Sequence, residues 1–460
     1  MAKMSLEDRV PAVSTEEFYN RAADKDSRPV PQFLRESRPF EGKHFQVPVD
    51  RFFSKEYHDR EVEHLWKKVW QFTCREDEIP NVGDVYLYEV ATLQYFLVRS
   101  APDRIKAYVN SCPHRGRKIV DHDGVTLEKL RCPFHGFEWD LDGRNSMIPC
   151  AWDFSHIEDS EYWHLSEAQV DVWAGSVFIN PDPDAGSLMA FLNEGGDIDE
   201  HYGRYGFDDR YIIGHARKVV PCNWKVAQEA FFEAFHIVGT HPQLTLTGCQ
   251  TDIKYDVFGN FGRGLGVYYT PNRYAVFEPS EQQIVDSALD LRLDSKQEVI
   301  VPEGRTAREQ MAIIARQGYE RTTGESADKF ADTEMVDVCF MSIFPNFHPW
   351  ALFARICYHF RPYKDDPNRS WMDIYQLGLY DKSNPRPKSA KVRMLSDDES
   401  FGECEEINAY LGRIANQDAF NFGPLQEGLK TSAKGVVTYS NYQESRCRDF
   451  HEKLDKWLGE

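Results

Sequence analysis

Two short loops with the same opening and ending constrain this chain more than anything else in it. Residues 112–116 read Cys-Pro-His-Arg-Gly and residues 132–136 read Cys-Pro-Phe-His-Gly, so each loop offers one thiol and one imidazole beside a proline and a glycine. Together, Cys112, His114, Cys132 and His135 make a Cys2His2 donor set. Four such donors suit a tetrahedral structural zinc. They also suit a [2Fe–2S] cluster of mixed ligation, with Cys112 and Cys132 on one iron and His114 and His135 on the other. Zinc fingers group two cysteines and then two histidines, whereas here each loop carries one of each after a Cys-Pro turn. That pattern favours the cluster.

A second constellation lies at Cys222–His241, CNWKVAQEAFFEAFHIVGTH. A helix opened by Asn223 places Glu229, Glu233 and His236 on one stripe, at spacings of four and three residues. Gly239 then ends the helix and His241 follows, so a break there lets the two histidines converge. Two histidines with a carboxylate from elsewhere meet the needs of a non-haem iron(II) site with open coordination positions. The competing explanation is an amphipathic helix whose polar face carries Glu and His by chance.

The rest of the sequence supplies context. With 460 residues, 41% of them hydrophobic, the chain has room for two or three domains with ordinary cores. A net charge of −20 and the lack of a Lys/Arg block exclude a nucleic-acid binder. The opening MAKMSLEDRVPAV has neither a signal-peptide core nor transit-peptide character, and no run of about 18 apolar residues occurs, so a soluble cytoplasmic protein with no membrane association is expected. Ten cysteines are too few for a disulfide scaffold. Cys74, Cys222, Cys249, Cys339, Cys357, Cys404 and Cys447 read as packing residues, and Cys150 carries no assignment.

Residues 1–45 are polar with scattered prolines and read as an arm. Lys55–Trp70 has helical spacing of Val62, Leu65, Trp66 and Val69, which predicts one packed helix with His58 and His64 as surface or packing residues. Strand-like runs at Val85–Val90, Tyr95–Arg99 and Ile105–Asn110, and a strand pair in Val170–Asn180, predict an all-β domain over 46–180. Residues 181–187, rich in turn formers, read as a linker. The second domain, 188–460, has strand-like runs at Gly264–Thr270, Val336–Phe344 and Ala351–Arg361, a polar helix-compatible insertion at about 279–333, and a helical pattern over Ala409–Thr431 that carries Asn416-Gln417-Asp418.

On the paired loops, on Asn223-Trp224-Lys225, and on Glu233-x-x-His236-x-x-x-x-His241, the chain resembles the Rieske non-haem iron oxygenases, the ring-hydroxylating oxygenase large (alpha) subunits, over most of its length. The resemblance implies an α+β fold: an all-β Rieske [2Fe–2S] domain, then a helix-grip (START-like) catalytic domain whose curved antiparallel sheet wraps a long helix. It implies a Rieske cluster on Cys112, His114, Cys132 and His135, and a mononuclear Fe(2+) on His236, His241 and Asp418. Glu405, Glu406, Asp397 and Asp398 compete with Asp418 for the third place. It further implies a head-to-tail homotrimer in which Glu233 links His236 to the His135 of a neighbouring copy, with a small beta subunit as an additional partner in some members. Electrons would come from NADH or NADPH through a separate reductase, with or without a ferredoxin, because no G-x-G-x-x-G fingerprint occurs here.

One or both atoms of O2 would enter an aromatic or other hydrophobic substrate, in a cavity made by Phe231, Phe232, Phe235, Tyr268, Tyr269, Phe340 and Phe344. Glutamate at 233 departs from the aspartate of most ring-hydroxylating members and resembles the branch acting on carnitine and related quaternary amines. Chain length and the run at 344–350 resemble the aromatic-compound oxygenases instead, with His348 in that run read as packed. Two other classes stand beside these: a Rieske electron carrier, which needs only the β-domain, and a hydrophobic-ligand carrier with structural zinc.

Overall fold

Val85–Val90 (β2) and Leu93–Ala101 (β3) carry aromatic and aliphatic residues on both sides of a two-residue turn, Ala91-Thr92, in which Ala91 takes φ +48°. Positive φ is what a tight hairpin between twisted strands requires. In the computed structural model, which describes residues 15–248, 251–272, 277–289 and 298–460, this hairpin belongs to a six-stranded antiparallel sheet. Its other strands are β1 (Gln71–Arg75), β4 (Arg104–Val109), β5 (Glu167–Trp173) and β6 (Ser176–Asn180), in the order β1-β6-β5-β4-β3-β2. A small sheet of Leu130–Arg131, Glu138–Trp139 and Asn145–Met147 stands on it. The first Cys-Pro loop follows β4, and the second joins the first two strands of the small sheet.

A larger eight-stranded sheet follows. It contains β7 (Tyr211–Val220), β8 (Lys254–Phe258), β9 (Phe261–Gly266), β10 (Val338–Ile343), β11 (Phe347–Pro349), β12 (Ile356–Tyr363), β13 (Asp366–Gly378) and β14 (Arg393–Met394), in the order 8-9-10-11-12-13-7-14. All neighbours are antiparallel except the short β14, which joins β7 in parallel. A long helix, Ala409–Lys430, lies against β7. The architecture is α+β, with an all-β unit leading into a helix-and-antiparallel-sheet unit.

Several local expectations are corrected. The helix from Lys55 stops at Glu61 and passes into a π-helical turn, Val62–Trp66. That turn lets the adjacent Leu65 and Trp66 both sit fully buried. The run Ala351–Arg361 becomes a strand only from Ile356, and Gly264–Thr270 is a strand only to Gly266. The longest strands, β7 and β13, went unread because they carry charges: Asp373, Arg217 and His215 are buried where the two sheets meet. The N-terminal arm is strapped to the larger unit, with the Ser27 N–H donating to Asp332 at 2.7 Å and the Arg38 N–H to Asp256 at 2.7 Å. Cys249, residues 1–14 of the arm and residues 290–297 of the insertion lie outside the described residues. The rest of the insertion includes helices Glu281–Leu289 and Ala307–Thr323.

The charges at the sheet junction are fully paired. Asp373 accepts from His215 Nε2 at 2.8 Å, Arg217 Nε at 2.5 Å and Arg361 Nη1 at 2.5 Å. Arg217 also donates to Tyr86 Oη at 2.5 Å, and Arg361 to the Glu89 carbonyl at 2.7 Å, so the cluster ties β7, β12 and β13 to β2. Burial pushes the Asp373 carboxyl up, but the two guanidinium groups and His215 outweigh it and hold it well below the usual range. Asp373→Asn leaves two arginines uncompensated, with an expected loss of about 3–5 kcal/mol in denaturant unfolding at neutral pH. Because the native carboxyl is depressed, that difference is present in full above the unfolded value of about 3.9 and shrinks only as pH falls below it.

Candidate active site

The two Cys-Pro loops share one main-chain design. Gly116 N–H bonds the Cys112 carbonyl at 2.9 Å and Gly136 N–H the Cys132 carbonyl at 3.0 Å. Cys112 and Cys132 each donate at 2.9 Å to the residue five positions on, Arg117 and Phe137. Both glycines take positive φ, +72° and +78°, which closes each loop over its thiol. The cysteines are buried, and the imidazoles of His114 and His135 lie 4.6 Å apart, centroid to centroid. His114 stacks on Phe137 at 4.9 Å, while His135 is exposed beside Phe134.

The donors fit an iron–sulfur cluster. His114 Nδ1 is buried without a hydrogen-bond partner, as a ligating nitrogen would be. Burial raises the Cys112 thiol, with Cys132 adding to it, and burial together with His135 and Arg115 lowers His114, so the imidazole is the neutral form that a metal takes. A single tetrahedral zinc would need its four donor atoms about 3.3–3.8 Å apart. Among the described residues, only two groups of three or more His, Cys, Asp or Glu bring their donor atoms within 4.8 Å of one another, and these loops do not form one.

One of those groups is His236, His241 and Asp418. Its local folding differs from the helix expected. The Asn223 side chain caps a short helix, α3 (Trp224–Glu229), by accepting from the Lys225 N–H at 3.1 Å, and this helix ends at Glu229, well before Gly239. Glu233 then takes the His236 main-chain N–H at 2.9 Å and the His236 Nδ1–H at 2.8 Å, while Tyr255 Oη takes the Ala234 N–H at 2.9 Å. Side-chain bonds of this kind compete with helix formation, so residues 230–236 form turns and a new one-turn helix, α4 (Ile237–Thr240), holds Gly239 inside it. Glu233 and His236 meet through that turn instead of a helical stripe. Glu229 points elsewhere, to Tyr439 Oη at 3.0 Å and His451 Nε2 at 2.9 Å, and burial pushes its carboxyl up to about 8.

Asp418 comes from the long helix, α5 (Ala409–Lys430), which Asn408 caps by accepting from the Leu411 N–H at 2.8 Å. Leu411, Ile414 and Asp418 share one stripe and line the same cavity. Asp418 Oδ1 lies 2.8 Å from His241 Nε2 and 3.6 Å from His236 Nε2. Asp397, Asp398, Glu405 and Glu406 are all exposed. Burial opposes charge on His236, but Glu233 and Asp418 outweigh it and raise it to about 9. The site therefore attracts a cation, and two imidazoles with one carboxylate suit iron(II).

Sequence reasoning missed two supports. Gln417 Oε1 accepts the His241 Nδ1–H at 2.9 Å and is itself held by Gln243 Nε2 at 2.7 Å. Its only signal was adjacency to Asp418. Glu61 takes the Trp224 Nε1–H at 2.9 Å and pairs with the Lys225 ammonium, both charges fully buried, so the Asn-Trp-Lys run is anchored to the N-terminal unit.

Beside the triad lies a cavity of about 280 Å³ whose lining, among the described residues, contains no Lys or Arg and two carboxylates, Glu233 and Asp418. Phe231, Tyr268, Tyr269 and Phe340 line it as expected. Phe232 and Phe344 instead pack on Phe450, at 5.2 and 6.0 Å, Phe235 is 45% exposed, and His348 is fully buried. No helix among the described residues is long and apolar enough to cross a membrane.

Residues 200–460 match the family of ring hydroxylating alpha subunits (catalytic domain), and residues 69–157 match the Rieske [2Fe-2S] domain. Among curated proteins, the chain is 29% identical over 189 residues to the biphenyl 2,3-dioxygenase alpha subunit of Rhodococcus jostii (strain RHA1), which is 41% of each chain. It is 25% identical over 237 residues to the carnitine monooxygenase oxygenase subunit of Escherichia coli (strain K12), 51% of this chain and 60% of that one. The matched stretch thus spans less than two thirds of these relatives. Similar folds include naphthalene 1,2-dioxygenase from Rhodococcus sp. bound to indole, with TM-score 0.60, 18% identity, and coverage of 99% of this chain and 98% of that one. A quaternary ammonium Rieske monooxygenase in complex with L-carnitine gives TM-score 0.61, 16% identity, and coverage of 90% and 95%. Gln417→Leu is expected to weaken iron(II) binding by about 10- to 100-fold in a metal titration, with the visible spectrum of the iron–sulfur cluster unchanged.

Proposed function

The chain belongs to the ring-hydroxylating oxygenase alpha-subunit family, and from that premise we propose that it is the terminal oxygenase of a multicomponent system acting on an uncharged aromatic or similarly hydrophobic substrate. Rieske domains bind a [2Fe–2S] cluster, and the catalytic domain of this family binds a mononuclear iron. When bound, the two supply single-electron transfer and O2 activation. Cys112, Cys132, His114 and His135 hold the first; His236, His241 and Asp418 hold the second. The observation that carries the reading is the apolar cavity that opens directly on His236, His241 and Asp418.

The protein's own groups have defined tasks. Gln417 and Glu233 fix the tautomers and orientations of His241 and His236, leaving Nε2 of each toward Asp418. The aromatic walls exclude water and present a ring to the triad. A cavity near 150 Å³ accepts benzene, so about 280 Å³ suits two rings. Among the described residues the lining offers a carboxylate no cationic partner, which favours an uncharged substrate over a carnitine-like zwitterion. Glu233 in place of aspartate keeps a quaternary or alkyl amine as the second reading, because aromatic walls also receive such cations.

Glu233 accepts two bonds from His236 and has lone pairs left for a further imidazole N–H. The exposed His135 of a second copy fits that role. Apolar surface surrounds both places: Phe134 is 54% and Trp152 76% exposed by the Cys-Pro loops, and Phe420 is 79% exposed two residues after Asp418. Repeated head-to-tail docking of these unlike surfaces closes a ring, and a homotrimer is the assembly proposed. A reductase, with or without a ferredoxin, supplies electrons.

The test is NADH-driven O2 uptake with a surrogate reductase against aromatic hydrocarbons, aromatic acids, steroids and quaternary amines, with products identified by mass under ¹⁸O2. A labelled aromatic product is expected, and a labelled amine product alone would move the assignment to the second reading. Asp418→Ala should abolish the product with the cluster spectrum intact. Glu233→Gln should slow turnover by about 10- to 100-fold while iron stays bound.

A further inference from the structure

Val267, Tyr268 and Tyr269 are consecutive, follow β9 directly, and all line the cavity. In an extended strand neighbouring side chains point to opposite faces, so this cannot arise from regular β geometry. The regular strand ends at Gly266, and the main chain then turns over at Tyr269, whose φ is +56°. Bulky residues avoid that region, and one persists there only when its surroundings hold it. Here the Tyr268 N–H donates to Asp337 Oδ1 at 3.0 Å and the Tyr269 N–H to the Thr247 carbonyl at 2.6 Å before the inversion, and the Asn272 N–H donates to the Thr245 carbonyl at 2.8 Å beyond it, so both sides are pinned.

The two rings then close a triangle with Phe353: Tyr268 to Tyr269 5.1 Å, Tyr268 to Phe353 5.0 Å, and Tyr269 to Phe353 6.2 Å between centroids. Tyr268 Oη lies 3.1 Å from Thr247 Oγ1 and bonds the Tyr410 hydroxyl. Tyr410 precedes Asp418 by eight positions on one helix, about 12 Å along its axis. The triangle therefore lines the same cavity about two helical turns away from the carboxylate of the triad.

We propose that Tyr269, with Tyr268 and Phe353, is the specificity-determining end wall of this cavity, and that it limits the substrate to uncharged aromatics of two rings. The inference rests on the oxygenase reading of the cavity and assigns its length selectivity to particular side chains. Tyr269→Gly keeps the left-handed backbone at no steric cost and removes the ring, whereas Tyr269→Phe keeps the ring. Phe353→Leu opens the same wall without touching the inverted backbone.

Naphthalene and phenanthrene are titrated into the metal-loaded protein without reductant, following their fluorescence. The unsubstituted protein should bind naphthalene about tenfold more tightly than phenanthrene. Tyr269→Gly and Phe353→Leu should erase or invert that preference, and Tyr269→Phe should keep it. An unchanged ratio in both cavity-opening variants, with circular dichroism and cluster spectrum intact, overturns the assignment, as does failure of the unsubstituted protein to bind either hydrocarbon. Binding in the expected order without ¹⁸O incorporation would defeat the oxygenase reading and leave the wall standing.

Discussion

The 2.8 Å approach of Asp418 to His241 joins residues 177 positions apart, and much of the larger unit is arranged to permit it. The helix that carries Asp418 has to lie over the segment that carries the histidines and stay there. Gln426, two turns beyond Asp418, accepts the Asn223 N–H at 2.8 Å and donates to the Phe52 carbonyl at 3.0 Å. One buried amide thus fixes the long helix to the start of the histidine segment and to the N-terminal unit. Polar groups this deeply buried cost free energy unless each is satisfied, so any shift of the helix would strand several at once.

The same economy recurs wherever charge is buried. Asp373 lies between two arginines and a histidine, and Lys225 against Glu61. Such pairs add little net stability over apolar packing, but breaking one is expensive. They sit where the sheets and segments meet, where an error of register would misplace the triad. Away from Glu233 and the triad, the described lining of the cavity carries no charge, so those walls discriminate by shape.

How much of this could be read from the residues depended on the range of the causes. The Cys-Pro loops were legible because their ligands, turn formers and glycines lie within six residues and act locally. Glu233, His236 and His241 were legible as a set, although the helix expected to carry Glu233 and His236 stops at Glu229, since the Glu233 side chain bonds the main chain of His236 in a way no periodicity signals. Strands β7 and β13 were hidden by their buried charges, which look like solvent-facing residues until their partners are known. Gln417 and Glu61 were invisible because their importance lies in groups 176 and 163 positions away. Phe232 and Phe235 show the reverse error: aromatic residues near a site in sequence need not face it.

The twin loops carry a consequence of another kind. The hydrogen bonds that close each loop on its cysteine are main-chain, the same in both loops, and indifferent to whether the histidine stands two or three places after the cysteine. Ligand position and loop form are therefore separately heritable. The same closed turn thus presents an imidazole two places after Cys112 in one loop and three places after Cys132 in the other.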